Sequence, residues 1–121
     1  MIIGLGMDLC DIARITRALK NECFLTRIFS QRERDAIAAR GEQTAAGYFA
    51  AKEAVAKALG TGFRGFMIWD IEITNDGVGC PNVILHNGAL ERLEKIGGNH
   101  ILVTITHTAN MAAATAVIES I

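Results

Sequence analysis

One proline, one tryptophan and one tyrosine in 121 residues leave little of the punctuation that separates domains. Only Pro81 interrupts the chain and no polar or low-complexity tract supplies a linker, so a single small domain over residues 1–121 is expected. Cys10, Cys23 and Cys80 are odd in number and widely spaced, which excludes a closed disulfide framework and a zinc-knuckle spacing. Reduced, partly buried thiols are expected. No run approaches the roughly 20 apolar residues of a membrane span. Met1 leads directly into strand-like sequence without a basic leader or cleavage site, so the expectation is a cytoplasmic protein with no membrane contact. No serine-centred elbow points to a hydrolase.

Charge of one sign is also lacking, since the net charge is −1. That balance argues against a nucleic-acid binder. The distribution is uneven, however: residues 1–40 carry seven basic and five acidic side chains, and residues 41–121 carry five and eight. A local basic face for an acidic partner is therefore expected near the front. What is plentiful is apolar side chain, at 50% of residues, with a mean hydropathy of +0.27. Small domains bury a lesser share of their surface than large ones, so part of this is expected to lie between subunits.

Strict alternation places Ile3, Leu5, Met7 and Leu9 on one strand face and Gly4, Gly6 and Asp8 on the other. From Asp11 the period changes to that of a helix, with Ile12, Ile15 and Leu19 on one stripe and Arg14, Arg17 and Lys20 displaced from it. Ser30 with Glu33 reads as a capping box opening a helix to about Arg40. An alanine-rich helix follows from about Thr44 to Leu59, stopped by Gly60. Trp69, Ile71 and Ile73 alternate with Asp70, Glu72 and Thr74 as a strand with one wet face. Asn75-Asp76-Gly77 then turns into a second strand at Asn82 to His86. Asn87 is positioned to cap a helix that Gly97-Gly98 ends, and Ile101–Thr106 and Met111–Ile118 read as two strands joined near His107 to Asn110, the last apolar enough to be covered on both faces. The fold class is α+β, a mainly antiparallel sheet packed with helices.

At Asp8 the residues allow two readings: an N-cap for the following helix, or a ligand position beside two glycines that leave room for a ligand or another backbone. Glu53 and Lys57 read on spacing as a surface i,i+4 pair contributing about 0.3–0.5 kcal/mol. Their setting adds a second reading, because the glycine loop Gly60-Thr61-Gly62 follows directly. Two carboxylates, a lysine and free backbone N–H groups are the parts that hold a magnesium diphosphate. The loop alone lacks P-loop spacing. His107 continues the alternation of Ile101, Val103 and Ile105, which suits a satisfied histidine as well as a functional one.

Three blocks in order resemble the holo-acyl-carrier-protein synthases, the short bacterial branch of the phosphopantetheinyl transferases. Residues 4–15, from Gly4 through Asp8 to Arg14 and Ile15, are similar to the family's opening strand. Residues 49–62, with Phe49, Lys52, Glu53, Lys57 and the glycine loop, resemble its helix signature, the most specific of the three. Thr106-His107-Thr108-Ala109 resembles its closing hairpin. The resemblance spans essentially the whole chain. It implies transfer of the 4'-phosphopantetheine arm of coenzyme A to a serine of apo acyl carrier protein, with release of 3',5'-ADP, in fatty acid biosynthesis.

It further implies that Asp8 and Glu53 hold Mg²⁺, with Mn²⁺ as an alternative ion, and that Lys57, His107 and the loop Gly60-Thr61-Gly62 meet phosphate. Glu53, Asp8 or a metal-bound water takes the serine proton, an alternative left open. The same resemblance implies that Arg14 and Arg17 receive the acidic carrier and that a homotrimer shares active sites between neighbours. Tyr48 stands where relatives often carry arginine, Ala56 where they often carry serine, and Thr104 and Thr106 where serines are usual, leaving Arg40 as the nearby phosphate ligand. Two readings of other classes compete: a regulatory module binding a ligand between subunits, and a magnesium-dependent phosphohydrolase acting on a nucleotide.

Overall fold

In the computed structural model, which describes Met1–Ile121 throughout, the alternating N-terminal run is a strand, β1 (Ile2–Asp11). Asp11 caps the helix that follows, α1 (Ile12–Leu19), its carboxylate accepting from the backbone N–H groups of Ala13 and Arg14. Asp8 is thereby released from the capping reading. A helix with no counterpart in the sequence expectations, α2 (Glu22–Ile28), is opened by the Asn21 side chain. The Ser30–Glu33 box opens α3 (Gln31–Arg40), and α4 (Glu42–Ala58) is the long central helix. A 3₁₀ turn at Ile68–Asp70 leads into β2 (Ile71–Asn75) and β3 (Pro81–Leu85), followed by α5 (Asn87–Lys95), β4 (His100–His107) and β5 (Met111–Glu119). Both sheets are antiparallel, one of order β1-β5-β4 and the other the β2-β3 hairpin. The architecture is the expected α+β, and no helix is long and apolar enough to cross a membrane.

The glycines of β1 admit backbone rather than ligand. A Cβ at Gly6 would stand 1.9 Å from the carbonyl oxygen of Ala54, and one at Gly4 would stand 2.3 Å from that of Ala58. At the other end of the strand the Cys10 thiol reaches the Ala46 carbonyl at 3.2 Å. Helix α4 therefore runs antiparallel along β1, its alanines pressed on the glycine face, and it extends over β5 to β4, where a Cβ at Gly47 would meet Ile105 at 2.8 Å. The core is the contact of Ala46, Ala50, Ala54 and Val55 with Ala112, Ala114, Ala116 and Ile118 of β5.

The opposite face of the same sheet is open. Leu5, Met7 and Leu9 are 61–67% exposed, and they register beside the half-buried Val117, Thr115 and Ala113 of β5. Leu102 of β4 extends the patch beyond Val117. In the single chain β5 is thus covered on one face only, against the expectation of two, because no second layer packs on that side.

A charged contact locks α3, α4 and the hairpin together. Lys52 and Glu33 are 1% and 0% exposed, with Nζ 2.9 Å from Oε2. Glu33 also accepts from the backbone N–H of Ser30 and of Ile73, both at 2.8 Å, while Lys52 donates to the Ile71 carbonyl and lies 5.8 Å from the Phe29 ring centroid. The wet face expected for β2 is in fact covered. Asp70 and Glu72 are buried, and Glu72 accepts from Ser30 Oγ at 2.7 Å and from Arg32 at 3.1 Å, with His86 Nε2 at 3.1 Å. Those partners hold the Glu72 carboxyl below its ordinary range despite burial, which acts the other way. Asn87 does not cap α5; it adopts φ 50° and donates its amide to Asp70 at 3.1 Å.

Gly6→Ala should destabilise the protein by about 3 kcal/mol or more, since the added methyl meets helix backbone rather than a movable side chain. Urea unfolding checks this, and a loss below about 0.5 kcal/mol would mean that α4 does not lie this close to β1.

Candidate active site

Asp8 is the last small-faced position of β1 before Cys10 and Asp11, and it looks toward α4 from the outer edge of the sheet. Helical side chains lean toward the N-terminus of their helix, so Lys57 from the last turn of α4 reaches back over the strand. Its Nζ lies 3.1 Å from Asp8 Oδ1 and 2.9 Å from the Met7 carbonyl. The i,i+4 pair expected between Glu53 and Lys57 is replaced by this cross-element pair. Glu53 faces the same pair. Burial and then the Asp8 charge push its carboxyl above the ordinary range, and Lys57 and Arg14 draw it back. Asp8, Glu53, Lys57 and Arg14 therefore form one electrostatic cluster between α4, β1 and α1.

The glycine loop extends from the same end of α4. Gly60 takes φ 88° and Gly62 takes φ 59°. The backbone N–H groups of Thr61 and Gly62 make no hydrogen bond within the chain, and Thr61 Oγ1 lies 3.2 Å from the Gly62 carbonyl. Arg92 of α5 donates to the Leu59 carbonyl at 2.9 Å and adds a cation beside the loop. Arg92 carried no signal in the sequence, because α5 reads there as an ordinary amphipathic helix.

A carboxylate whose ionisation is made costlier by burial and by a second carboxylate nearby, as Glu53 is by Asp8, suits an oxygen-seeking dication. Nowhere do three or more His, Cys, Asp or Glu side chains gather as a metal set. A closed zinc-type site is therefore not built here. The donor set of Asp8 and Glu53 fits Mg²⁺, which takes one or two carboxylates and completes its shell with water and phosphate oxygen.

Arg40 and His107 are brought together, but elsewhere. They line a cleft of about 350 Å³ with Gln43, Thr44, Tyr48 and Pro81. The Arg40 guanidinium is exposed and makes no hydrogen bond within the chain, and the exposed His107 ring makes one, from Nδ1 to its neighbour's carbonyl at 3.3 Å. Asn75 was legible only as a turn residue, and Gln43 and Gly79 carried no signal in the sequence. His86 and His100 are engaged with Glu72 and Glu119, each at 3.1 Å. The cleft lies on the β4 flank of α4, and the Asp8 cluster lies on its β1 flank. A helix about 10–12 Å across separates the two.

Arg14 and Arg17 project from α1 into solvent while Ile12 and Ile15 are buried. Neither forms an ion pair. Arg17 lines a shallow surface hollow with Thr16, Glu42 and Asn110.

Comparison with known proteins gives a consistent picture. Residues 4–116 match the 4'-phosphopantetheinyl transferase superfamily. The chain is 45% identical to the holo-[acyl-carrier-protein] synthase of Clostridium perfringens strain 13, over 98% of this chain and 95% of that protein. Among solved structures, the holo-[acyl-carrier-protein] synthase of Neisseria meningitidis superposes with a TM-score of 0.88 at 32% identity, covering 98% and 99% of the two chains. The Helicobacter pylori synthase in complex with coenzyme A does so with a TM-score of 0.84 at 30% identity, covering 95% and 99%.

Proposed function

The chain belongs to the 4'-phosphopantetheinyl transferase superfamily, and we propose that it transfers the phosphopantetheine arm of coenzyme A to a serine of apo acyl carrier protein, releasing 3',5'-ADP, in cytosolic fatty acid synthesis. The observation that carries this reading is the meeting of Asp8, Glu53 and Lys57 beside a glycine loop with free N–H groups.

The carrier's serine oxygen attacks the phosphorus that bears the pantetheine arm, the bond to the bridging oxygen breaks, and that oxygen leaves with the electron pair on 3',5'-ADP. Asp8 and Glu53 would hold Mg²⁺, which would supply charge neutralisation on the diphosphate. Lys57 and the N–H groups of Thr61 and Gly62 offset charge on the phosphate oxygens, the main source of rate in such transfers. Glu53, whose carboxyl is raised by burial and then by the Asp8 charge, takes the serine proton.

Arg40 and His107 meet phosphate of the same ligand from a neighbouring copy, since within one chain α4 stands between them and Asp8. A homotrimer supplies that neighbour, and the apolar sheet face of Leu5, Met7, Leu9 and Leu102 is the surface it covers. The exposed arginines of α1, next to the cluster, receive the acidic carrier.

Incubation with apo carrier, coenzyme A and Mg²⁺ should add the phosphopantetheine mass to the carrier. Asp8→Ala and Glu53→Ala should each lower turnover by about a hundredfold or more, the range for removing one preorganised electrostatic group, with little change in melting temperature. Release of 3',5'-ADP with an unmodified carrier would instead indicate a hydrolase, and near wild-type turnover of either variant at saturating Mg²⁺ would remove that residue from the metal site.

Sedimentation at micromolar concentration should give a trimer, and Met7→Lys should shift it to monomer with activity lost in parallel, because a charge is then buried in an apolar contact. A fully active monomer would end the shared-site reading.

Reversing the Arg17 charge, with Arg17→Glu, should raise the carrier KM about threefold and weaken its salt dependence while the coenzyme A KM stays put, whereas Arg14→Glu, inside the Asp8 cluster, should raise both. Kinetics at low and high salt decide it; an unchanged carrier KM would remove α1 from docking.

A further inference from the structure

Tyr48 lines the Arg40 cleft, yet the residue is only 3% exposed. Its hydroxyl makes a hydrogen bond to Asn75 Oδ1. Asn75 in turn donates its amide to the Gly79 carbonyl at 3.0 Å. Burial, the leading influence on the phenol, raises its pKa and keeps it a neutral donor. The proton it has to give goes to Asn75, so its effect on a ligand is indirect.

What it acts on is the turn between β2 and β3. That turn is stiff in itself: Asp76 Oδ1 accepts from the N–H groups of Val78 and Cys80, both at 2.9 Å, and Gly79 N–H donates to the Asp76 carbonyl at 3.0 Å. Its hydrogen bond to a helix is the one from Tyr48. Asn75, Gly79 and Pro81 form one wall of the cleft, α4 with Arg40 forms a second, and Thr104 to His107 form the third. Lys52 and Glu33 hold the start of β2 against α4 and α3, and the Tyr48–Asn75–Gly79 chain holds its far end and the turn, and so the width between the first two walls at the cleft.

We propose that Tyr48 is a positioning residue for coenzyme A binding, holding the β2–β3 turn through Asn75 at the spacing that lets Arg40 and His107 close on one ligand. This rests on the reading of the cleft as part of the coenzyme A site.

Tyr48→Phe removes one oxygen and tests this directly. The Kd of 3',5'-ADP by calorimetry and the KM of coenzyme A should rise about five- to tenfold, as for loss of one neutral hydrogen bond, with a smaller change in kcat and none in the carrier KM. Amide exchange over residues 76–80 should quicken. Asn75→Ala should reproduce the effect, and the double variant should be no worse than either single one, since both break the same chain. If Tyr48→Phe melts earlier but binds 3',5'-ADP as wild type while Arg40→Ala binds it weakly, the residue is ordinary core and the proposal fails. If Arg40→Ala and His107→Ala also bind as wild type, the cleft is not the nucleotide site and the proposal falls with that reading.

Discussion

The contact between Lys52 and Glu33 is the constraint on which the rest of the molecule depends. Both charges are removed from water, and removing one partner of such a pair commonly costs about 3–5 kcal/mol because the other is left buried and uncompensated. The pair is fully furnished with partners: Glu33 also holds two backbone N–H groups and Lys52 a carbonyl. Through it α3, α4 and β2 have one relative placement. Lys52 and Glu53 are neighbours on α4, so the rotation that points Lys52 inward at the hairpin turns Glu53 to the β1 edge, where Asp8 waits. Helix orientation and the site's geometry are thus the same fact, with the capping box of α3 as its anchor.

How much of this was legible varies with the kind of question. Periodicity identified β1, α3, α4, the hairpin and the last two strands to within a few residues, because repeating apolar positions depend on the chain's own geometry. It told which residues share a face of β1 without telling which face is covered. Leu5, Met7 and Leu9 look like a core stripe, yet the helix lies on the glycine side. The same gap explains Asp70 and Glu72, which alternate like a wet face but are sealed by Ser30, Arg32, Asn87 and His86 from distant segments. Helix α2 was missed because Glu22–Ile28 is short and has no buried stripe of its own.

The candidate site divides along the same line. Asp8, Glu53 and Lys57 were identifiable from residue types and their resemblance to a family, and the fold brings them together. The separation of Arg40 and His107 from them by the thickness of α4 was not, since it depends on how a helix lies across a sheet. Nor did the sequence single out Asn75 and Gly79 as a cleft wall, because turn residues look alike whether or not something is built on the turn.

Twelve glycines in 121 residues suggest a slack chain, but the residue serves two unrelated ends. At Gly4 and Gly6 what matters is absence of volume, since helix carbonyls occupy the space a side chain would need. At Gly62 and Gly65, with φ 59° and 85° and nothing within 4 Å of an added Cβ, space is plentiful. What matters there is absence of handedness: those backbone angles suit the mirror image of an ordinary residue, and glycine alone among the coded amino acids has no hand to conflict with them. One kind of glycine sets how closely two layers can stack, and the other sets which way a loop can curl.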